Sequence, residues 1–169
     1  SRIIACSSDD DLFILDLESE EDEKTQTLEL PEIPQTKSSM KIGYMNNINH
    51  LEVNENYAVI SRGCGAVDLI DLTTNKAKSM IRLMNFVTAV AINIERSAIV
   101  IATAENKIYE LNITNNKEGD ETLLTNWSKK NTDNLPRQLE SASEKCVGIF
   151  YDKNDHNKMW FWSPTWLSR

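Results

Sequence analysis

Histidine and cysteine are scarce in this chain: two histidines and three cysteines stand among 169 residues. Cys6, Cys64 and Cys146 form no CxxC pair and lie near neither histidine, and their odd number leaves at least one thiol unpaired. Free thiols in a reducing compartment are therefore expected. The sequons Asn112-Ile113-Thr114 and Asn126-Trp127-Ser128 are then chance matches. Glycine is also sparse, with five residues. The stretch Arg62-Gly63-Cys64-Gly65-Ala66-Val67-Asp68 leads into a strand pattern rather than a helix, which excludes a phosphate-cradling loop. No apolar run approaches the ~20 residues that span a bilayer, and no leader-like segment opens the chain. The expectation is a soluble, intracellular protein without a membrane partner. No basic stripe marks a nucleic-acid groove.

What is present is a core and a lopsided charge. Apolar residues make up 40% of the chain, enough to exclude global disorder. The net charge is −8, yet it is concentrated at the front, where eleven acids between Ser1 and Gln35 face only Arg2 and Lys24. The run Asp16-Leu17-Glu18-Ser19-Glu20-Glu21-Asp22-Glu23-Lys24 reads as a solvated loop. Strand-like sequence reaches both ends, from Arg2-Ile3-Ile4 to Trp160-Phe161-Trp162. The segment is therefore expected to be a piece of a longer protein, poorly folded when isolated.

A repeat organises the rest. Residues 49–76 align without a gap on residues 90–117, an offset of 41. Leu51 meets Ile92, Val59 meets Val100, Val67 meets Ile108, Ile70 meets Leu111, and Asp71 meets Asn112. A front copy aligns residues 2–19 with 57–74 at an offset of 55, the excess absorbed by an acidic insert at about 18–37. A looser copy starts near Lys145, after a long connection at about 115–145. Each unit holds short β-branched runs between polar turns. In the clearest copy these predict strands at Ile48–Val53, Tyr57–Arg62, Val67–Asp71 and Ala77–Arg82. Ala58-Val59-Ile60-Ser61 and Ala98-Ile99-Val100-Ile101-Ala102 read as buried on both faces. Val67-Asp68-Leu69-Ile70-Asp71 and Lys107-Ile108-Tyr109-Glu110-Leu111 alternate and read as half-buried. A helical turn or two is conceivable only at Leu135–Ser143. Four strands per unit, at a period near the ~40–45 residues of WD repeats, predict an all-β fold of degenerate WD40-type β-propeller blades. Residues 1–169 hold about three and a half of them. Rings close with ~4–8 blades, so the segment should belong to a larger propeller. Stacked strands of a solenoid are the alternative.

Little chemistry follows from the remaining polar residues. His50 starts a strand and aligns with Ala91, which favours a structural role. His156 sits with Asp152 and Asp155 in a polar turn, an ordinary setting between strands rather than a metal site. Asp9, Asp10 and Asp11 align with the turn Cys64-Gly65-Ala66 and lack the alternating oxygens of a calcium loop. The two glycines of that turn provide for a positive φ. Cys6 and Cys64 fall in or beside strands, where buried inert thiols are the default. No catalytic residue, metal ligand, cofactor or small-molecule substrate is expected. Lys129, Lys130 and Arg137 flank Trp127 in a mildly basic connection that reads either as an ordinary solvated outer strand or as a surface that touches RNA phosphates or an acidic partner. Alternate rings of Trp160-Phe161-Trp162-Ser163-Pro164-Thr165-Trp166 are expected to pack between blades, a surface Trp anchoring a partner being the alternative.

The phrase Ala5-Cys6-Ser7-Ser8-Asp9-Asp10-Asp11-Leu12-Phe13-Ile14-Leu15-Asp16 resembles that of WD repeats, with Leu15, Ile70 and Leu111 in place of Trp and Asp16, Asp71 and Asn112 in place of Asp. The substitution is expected to keep an apolar side chain against the next blade and a polar cap at the strand end. The Gly-His dipeptide of better-kept repeats is absent. The last third, with Trp127-Ser128-Lys129-Lys130 and Trp166-Leu167, resembles the C-terminal part of cirhin-type subunits of the small-subunit processome, which implies that residues 1–169 are the C-terminal portion of the propeller. That resemblance implies a non-catalytic nucleolar scaffold supporting pre-18S rRNA processing. Its implied partners are other WD-repeat and helical subunits and the U3 ribonucleoprotein or pre-rRNA. A generic intracellular WD platform, or a hydrolase-like propeller with its active site outside the segment, remains an alternative.

Overall fold

The computed structural model describes residues 2–7, 11–18, 25–32, 47–83, 85–105, 107–114, 122–126, 146–163 and 167–168. Among these there is no helix, only fourteen β-strands. They are β1 (Arg2–Cys6), β2 (Leu12–Asp16), β3 (Thr25–Leu28), β4 (Ile48–Val53), β5 (Tyr57–Arg62), β6 (Ala66–Asp71) and β7 (Lys76–Arg82). The chain continues through β8 (Val87–Asn93), β9 (Ala98–Thr103), β10 (Lys107–Asn112), β11 (Thr122–Asn126), β12 (Gly148–Tyr151), β13 (Met159–Trp162) and β14 (Leu167–Ser168). Each strand pairs antiparallel with its neighbour in sequence, giving four up-and-down sheets: β1–β3, β4–β7, β8–β11 and β12–β14.

These are propeller blades. β5 and β9, and β6 and β10, coincide residue for residue at the offset of 41 read from the sequence. Even an irregularity recurs, because the third and fourth strands slip register between Val67 and Asp68 and again between Ile108 and Tyr109. The closest approaches between sheets are β8 on β4 and β5, and β12 on β8 and β9. Successive sheets thus meet through their first two strands, as blades do around an axis. By the same correspondence the first sheet starts at the equivalent of β5, and the last at the equivalent of β8. Fourteen strands at four per blade make the three and a half blades expected.

The period-2 alternation of a strand gives every sheet a rear face toward the preceding sheet and a forward face toward the next. Forward residues Leu12, Ile14 and Leu28 of the first sheet pack on rear residues Ala58, Ile60 and Ile70 of the second. Val59, Val67 and Leu69 then meet Val90, Ile99, Ile101 and Leu111 of the third. Finally Ala89, Ala91, Val100 and Ala102 receive Ile149, Tyr151, Met159 and Phe161 of the fourth. β5 and β9 are buried almost throughout, as their unbroken apolar runs predict.

Several expectations change. β6 is buried from Ala66 to Ile70 rather than on one face, because Asp68 finds an internal partner. Ile70 and Leu111 do pack between blades, but on the preceding sheet and not the next. His50 lies opposite Ser61 as Ala89 lies opposite Ala102, so its counterpart is Ala89, two residues from Ala91. A two-residue slip preserves the face of every side chain, which is why the sequence alignment conceals it. Cys6 is exposed, whereas Cys146 is buried. Within the stretch 18–37, Thr25–Leu28 forms β3, the outer strand of the first sheet. Leu135–Ser143 lies outside the described residues.

Candidate interaction surfaces

The strand ends divide the turns between two rims, and polar contacts on each rim tie neighbouring blades together. On one rim the Trp-Asp position of the repeat performs its expected capping. Asp71 Oδ1 accepts the Thr73 amide at 2.8 Å and the Thr73 hydroxyl at 2.6 Å. Asp16 and Asn112 accept the amides of Glu18 and Thr114 in the same way. Each cap satisfies backbone donors where the chain turns back. Those hydrogen bonds hold the Asp71 carboxyl below its ordinary range. The carbonyls that follow the Asp71 and Asn112 caps are then claimed by the preceding blade: Arg2 Nη1 donates to Leu72 O at 2.7 Å, and Lys78 Nζ to Ile113 O at 3.0 Å.

His156 belongs to this rim. Its carbonyl accepts Asn93 Nδ2 at 2.7 Å and its Nε2 lies 3.1 Å from Glu95, so the histidine joins the third and fourth sheets. Tyr151 stands nearby, its hydroxyl buried with no hydrogen-bond partner among the described residues, and burial pushes its ionisation upward.

The opposite rim holds the most buried charge among the described residues. Arg62, at the end of β5, and Asp68, on β6, have side chains 6% and 1% exposed. Arg62 Nε and Nη2 both reach Asp68 Oδ2, at 2.7 and 2.6 Å. Nη2 also donates to Pro31 O at 2.8 Å, and Arg82 Nη2 to Glu32 O at 2.6 Å. The two arginines therefore clamp the chain as it leaves the first sheet. Burial raises the Asp68 carboxyl, opposed by the charges of Arg62 and Arg82 and a hydrogen bond from Ser79. Beside the clamp, Gly65 takes φ +83° in the β5–β6 turn, and a Cβ there would stand 2.0 Å from Leu83 O. Only glycine meets both demands. On the same rim His50 Nε2 lies 3.2 Å from Val87 O. A carbonyl only accepts, so this nitrogen carries the proton. Burial lowers the basicity of the imidazole, opposed by that hydrogen bond.

These contacts tie strand to strand and sheet to sheet. Among the described residues no group of three or more His, Cys, Asp or Glu is placed to hold a metal ion. A shallow groove of ≈ 210 Å³, lined by Leu83, Asn85, Thr103, Glu105, Lys107 and Tyr109, opens on the rim beside Phe86. Its Lys107 is already paired with Glu105 at 2.8 Å. The Cys146 thiol is buried and pushed up to about 11, far from a nucleophile. Trp127, Lys129, Lys130 and Arg137, the residues expected to contact RNA or an acidic partner, lie outside the described residues, as do Asp9, Asp10 and Trp166. The described aromatics of the last sheet do not all pack between blades. Phe161 faces the third sheet, whereas Trp162 is 43% and Phe150 47% exposed on the forward face.

No protein-family model matches the sequence. Over its full length the chain is 55% identical to the U3 small nucleolar RNA-associated protein 4 of Saccharomyces cerevisiae, covering 22% of that protein. The protein of the same name from Schizosaccharomyces pombe is 24% identical over 99% of the chain, covering 24% of its own length. The chain thus spans less than a quarter of the curated relatives it matches. Among solved structures, PorZ of Porphyromonas gingivalis superposes with a TM-score of 0.61 at 17% identity, over 96% of this chain and 18% of PorZ. The computationally designed Ika4 protein superposes with a TM-score of 0.56 at 13% identity, over 99% of this chain and 82% of Ika4. A chain of the mitotic checkpoint complex gives 0.56 at 11% identity, over 94% of this chain and 43% of that one. At such identities these three bear on the fold alone.

Proposed function

We propose that these blades are part of a non-catalytic WD-type scaffold in ribosome biogenesis, a nucleolar component of the small-subunit processome that supports pre-18S rRNA processing. The observation that carries this reading is the 55% identity, across every part of the chain, with a protein named for its association with U3 small nucleolar RNA. Identity of that order over 173 aligned residues reaches well beyond what shared blade architecture requires, since structures of similar fold agree at 11–17%. The residues supply what a scaffold needs: rigid stacked sheets, capped turns, and rims that present loops to several partners. We place the segment in the later part of a larger propeller, with other WD-repeat and helical subunits of a ribonucleoprotein assembly as its neighbours. Trp127, Lys129, Lys130 and Arg137 are proposed as a contact for RNA or an acidic subunit, the indole stacking and the cations meeting phosphate or carboxylate.

Tagged full-length protein, purified from nuclei, tests the reading. U3 RNA, pre-rRNA and processome subunits should co-purify; their absence sinks it. Joint replacement of Lys129, Lys130 and Arg137 by alanine should weaken RNA retention at low salt and make it less sensitive to salt, because fewer counterions are released on binding. An unchanged salt profile removes that contact from the proposal.

A further inference from the structure

We propose that the forward face of the fourth sheet, carrying Phe150, Trp160 and Trp162, is the docking surface for a further antiparallel β-sheet of the same polypeptide, one that presents small residues there. The inference rests on the larger-propeller reading and adds to it the surface, its residues and the chemistry of what covers it.

Three successive interfaces set the rule. In each of the first three sheets the forward face is apolar and buried because the next sheet lies on it. Register assigns Gly148, Phe150, Trp160 and Trp162 to the same face of the fourth sheet, since Gly148 pairs with Trp162 and Phe150 with Trp160. No charged side chain occupies these four positions, yet Phe150 and Trp162 remain 47% and 43% exposed. An exposed aromatic cluster on a sheet whose neighbours are all covered marks an interface.

The shape of the face determines what fits. Phe150 and Trp160 stack with centroids 6.3 Å apart and planes 12° from parallel. Trp160 Nε1 donates to Asp152 Oδ2 at 3.4 Å, so its polar edge is served within its own sheet. The Trp162 indole lies directly over Gly148, where a Cβ would fall 1.5 Å from Nε1. The aromatic layer is thus preformed and already fills much of the gap above the sheet. Facing sheets sit about 10 Å apart, so bulk on one side demands small residues on the other. The neighbouring interface obeys this rule in reverse, where Ala89, Ala91 and Ala102 receive Tyr151, Met159 and Phe161. The covering sheet should accordingly turn alanine, glycine or valine toward Phe150 and Trp162. Its source is argued from length, because the relatives extend well past the 22–24% of their chains that this segment matches. Nucleic-acid bases also stack on aromatics, but such platforms line basic grooves, and these four positions carry no cation.

The test uses full-length protein with the photoreactive analogue p-benzoylphenylalanine at position 150. After irradiation, mass spectrometry should find an intramolecular cross-link to a strand outside residues 1–169 with small residues at alternate positions. A cross-link to another protein or to RNA, or none at all, overturns the proposal. In a second measurement, Phe150→Cys and Phe86→Cys are compared for maleimide labelling, each in protein with Cys6 and Cys64 replaced by serine. Phe86 is 62% exposed on the rim. Labelling at 150 should be slower by at least about an order of magnitude, as expected of a position reached only by local opening. Equal rates refute the docking. Association with U3 RNA is scored separately, so a protein that cross-links internally but binds no processome RNA fails the functional reading alone.

Discussion

Replacing Arg62 with methionine isolates the energetics of the buried clamp. Methionine keeps much of the apolar stem but removes the guanidinium, leaving the 1%-exposed Asp68 side chain with only Ser79 and Arg82 for support. Stranding one half of a buried pair costs about 3–5 kcal/mol, and the remaining partners place the expectation near the lower end. At 1.4 kcal/mol per tenfold, about 3 kcal/mol corresponds to roughly a hundredfold loss of protection. Hydrogen exchange in the full-length protein, read on peptides covering residues 57–71, measures that opening locally. The companion variant Arg62→Met/Asp68→Leu removes both charges and should recover most of the loss, to within about 1 kcal/mol of the parent. The direction of the Asp68 shift supports this asymmetry. Its folded pKa is raised above the unfolded value, so its stabilising contribution is present below the unfolded value and lost as pH rises through the folded one. What the clamp supplies is position: Arg62 holds the carbonyl of Pro31, and Arg82 that of Glu32. The reasoning is refuted if the double variant exchanges as fast as the single one, or if the single one leaves exchange unchanged.

The turn cap offers a smaller test. Asp71→Ala should destabilise the β6–β7 turn by about 1 kcal/mol, while Asp71→Asn, the residue present as Asn112 in the next repeat, should cost only a few tenths. Because the Asp71 carboxyl is held low, its stabilising contribution is present above the unfolded value and lost as pH falls through the folded one. Carbon-detected NMR titration of the side chain should show that depressed midpoint, and a midpoint at the ordinary value removes the cap from the account. His50, whose folded pKa is lowered, adds stability above the unfolded value of about 6.5 that is lost as pH falls toward the folded one. The protection factors of β4 and β8 amides, corrected for the intrinsic exchange rate at each pH, should fall on acidification through that window, and His50→Gln should flatten the response without affecting the first sheet.

The sequence made the architecture legible because the blade imposes two regularities at once. The offset of 41 placed β5, β6, β9 and β10 to within a residue, and β-branched runs marked the strands buried on both faces. What stayed hidden was a matter of partners. Asp68 alternates with apolar neighbours as a solvent-facing residue does, and nothing local reveals that Arg62, six positions away, turns inward to meet it. The backward packing of Ile70 and Leu111 was equally illegible, since periodicity separates two faces without saying which neighbour lies against which. The two-residue slip at His50 changed no face and so left no trace in the pattern. The residues favoured for partner contact, from Trp127 to Arg137, rest on residue type alone; their positions lie outside the described strands.

The repeats have drifted far in wording, and the interfaces explain how much drift the stack absorbs. Where the first and second sheets meet, leucine and isoleucine interleave with alanine and isoleucine. Between the second and third, valine and leucine oppose valine and isoleucine. Between the third and fourth, alanines oppose aromatics. Each junction divides its volume differently between the two faces, as compensating substitution at a near-constant sheet spacing permits. Ile70-Asp71 stands where a WD repeat has Trp-Asp, and both the cap and the buried apolar residue are present there. The same logic makes blades non-interchangeable: the alanine face of the third sheet accepts the fourth and would leave voids against a face built like the second. Order along the chain is written in these volumes, and a face as bulky as that of Phe150, Trp160 and Trp162 specifies its own neighbour.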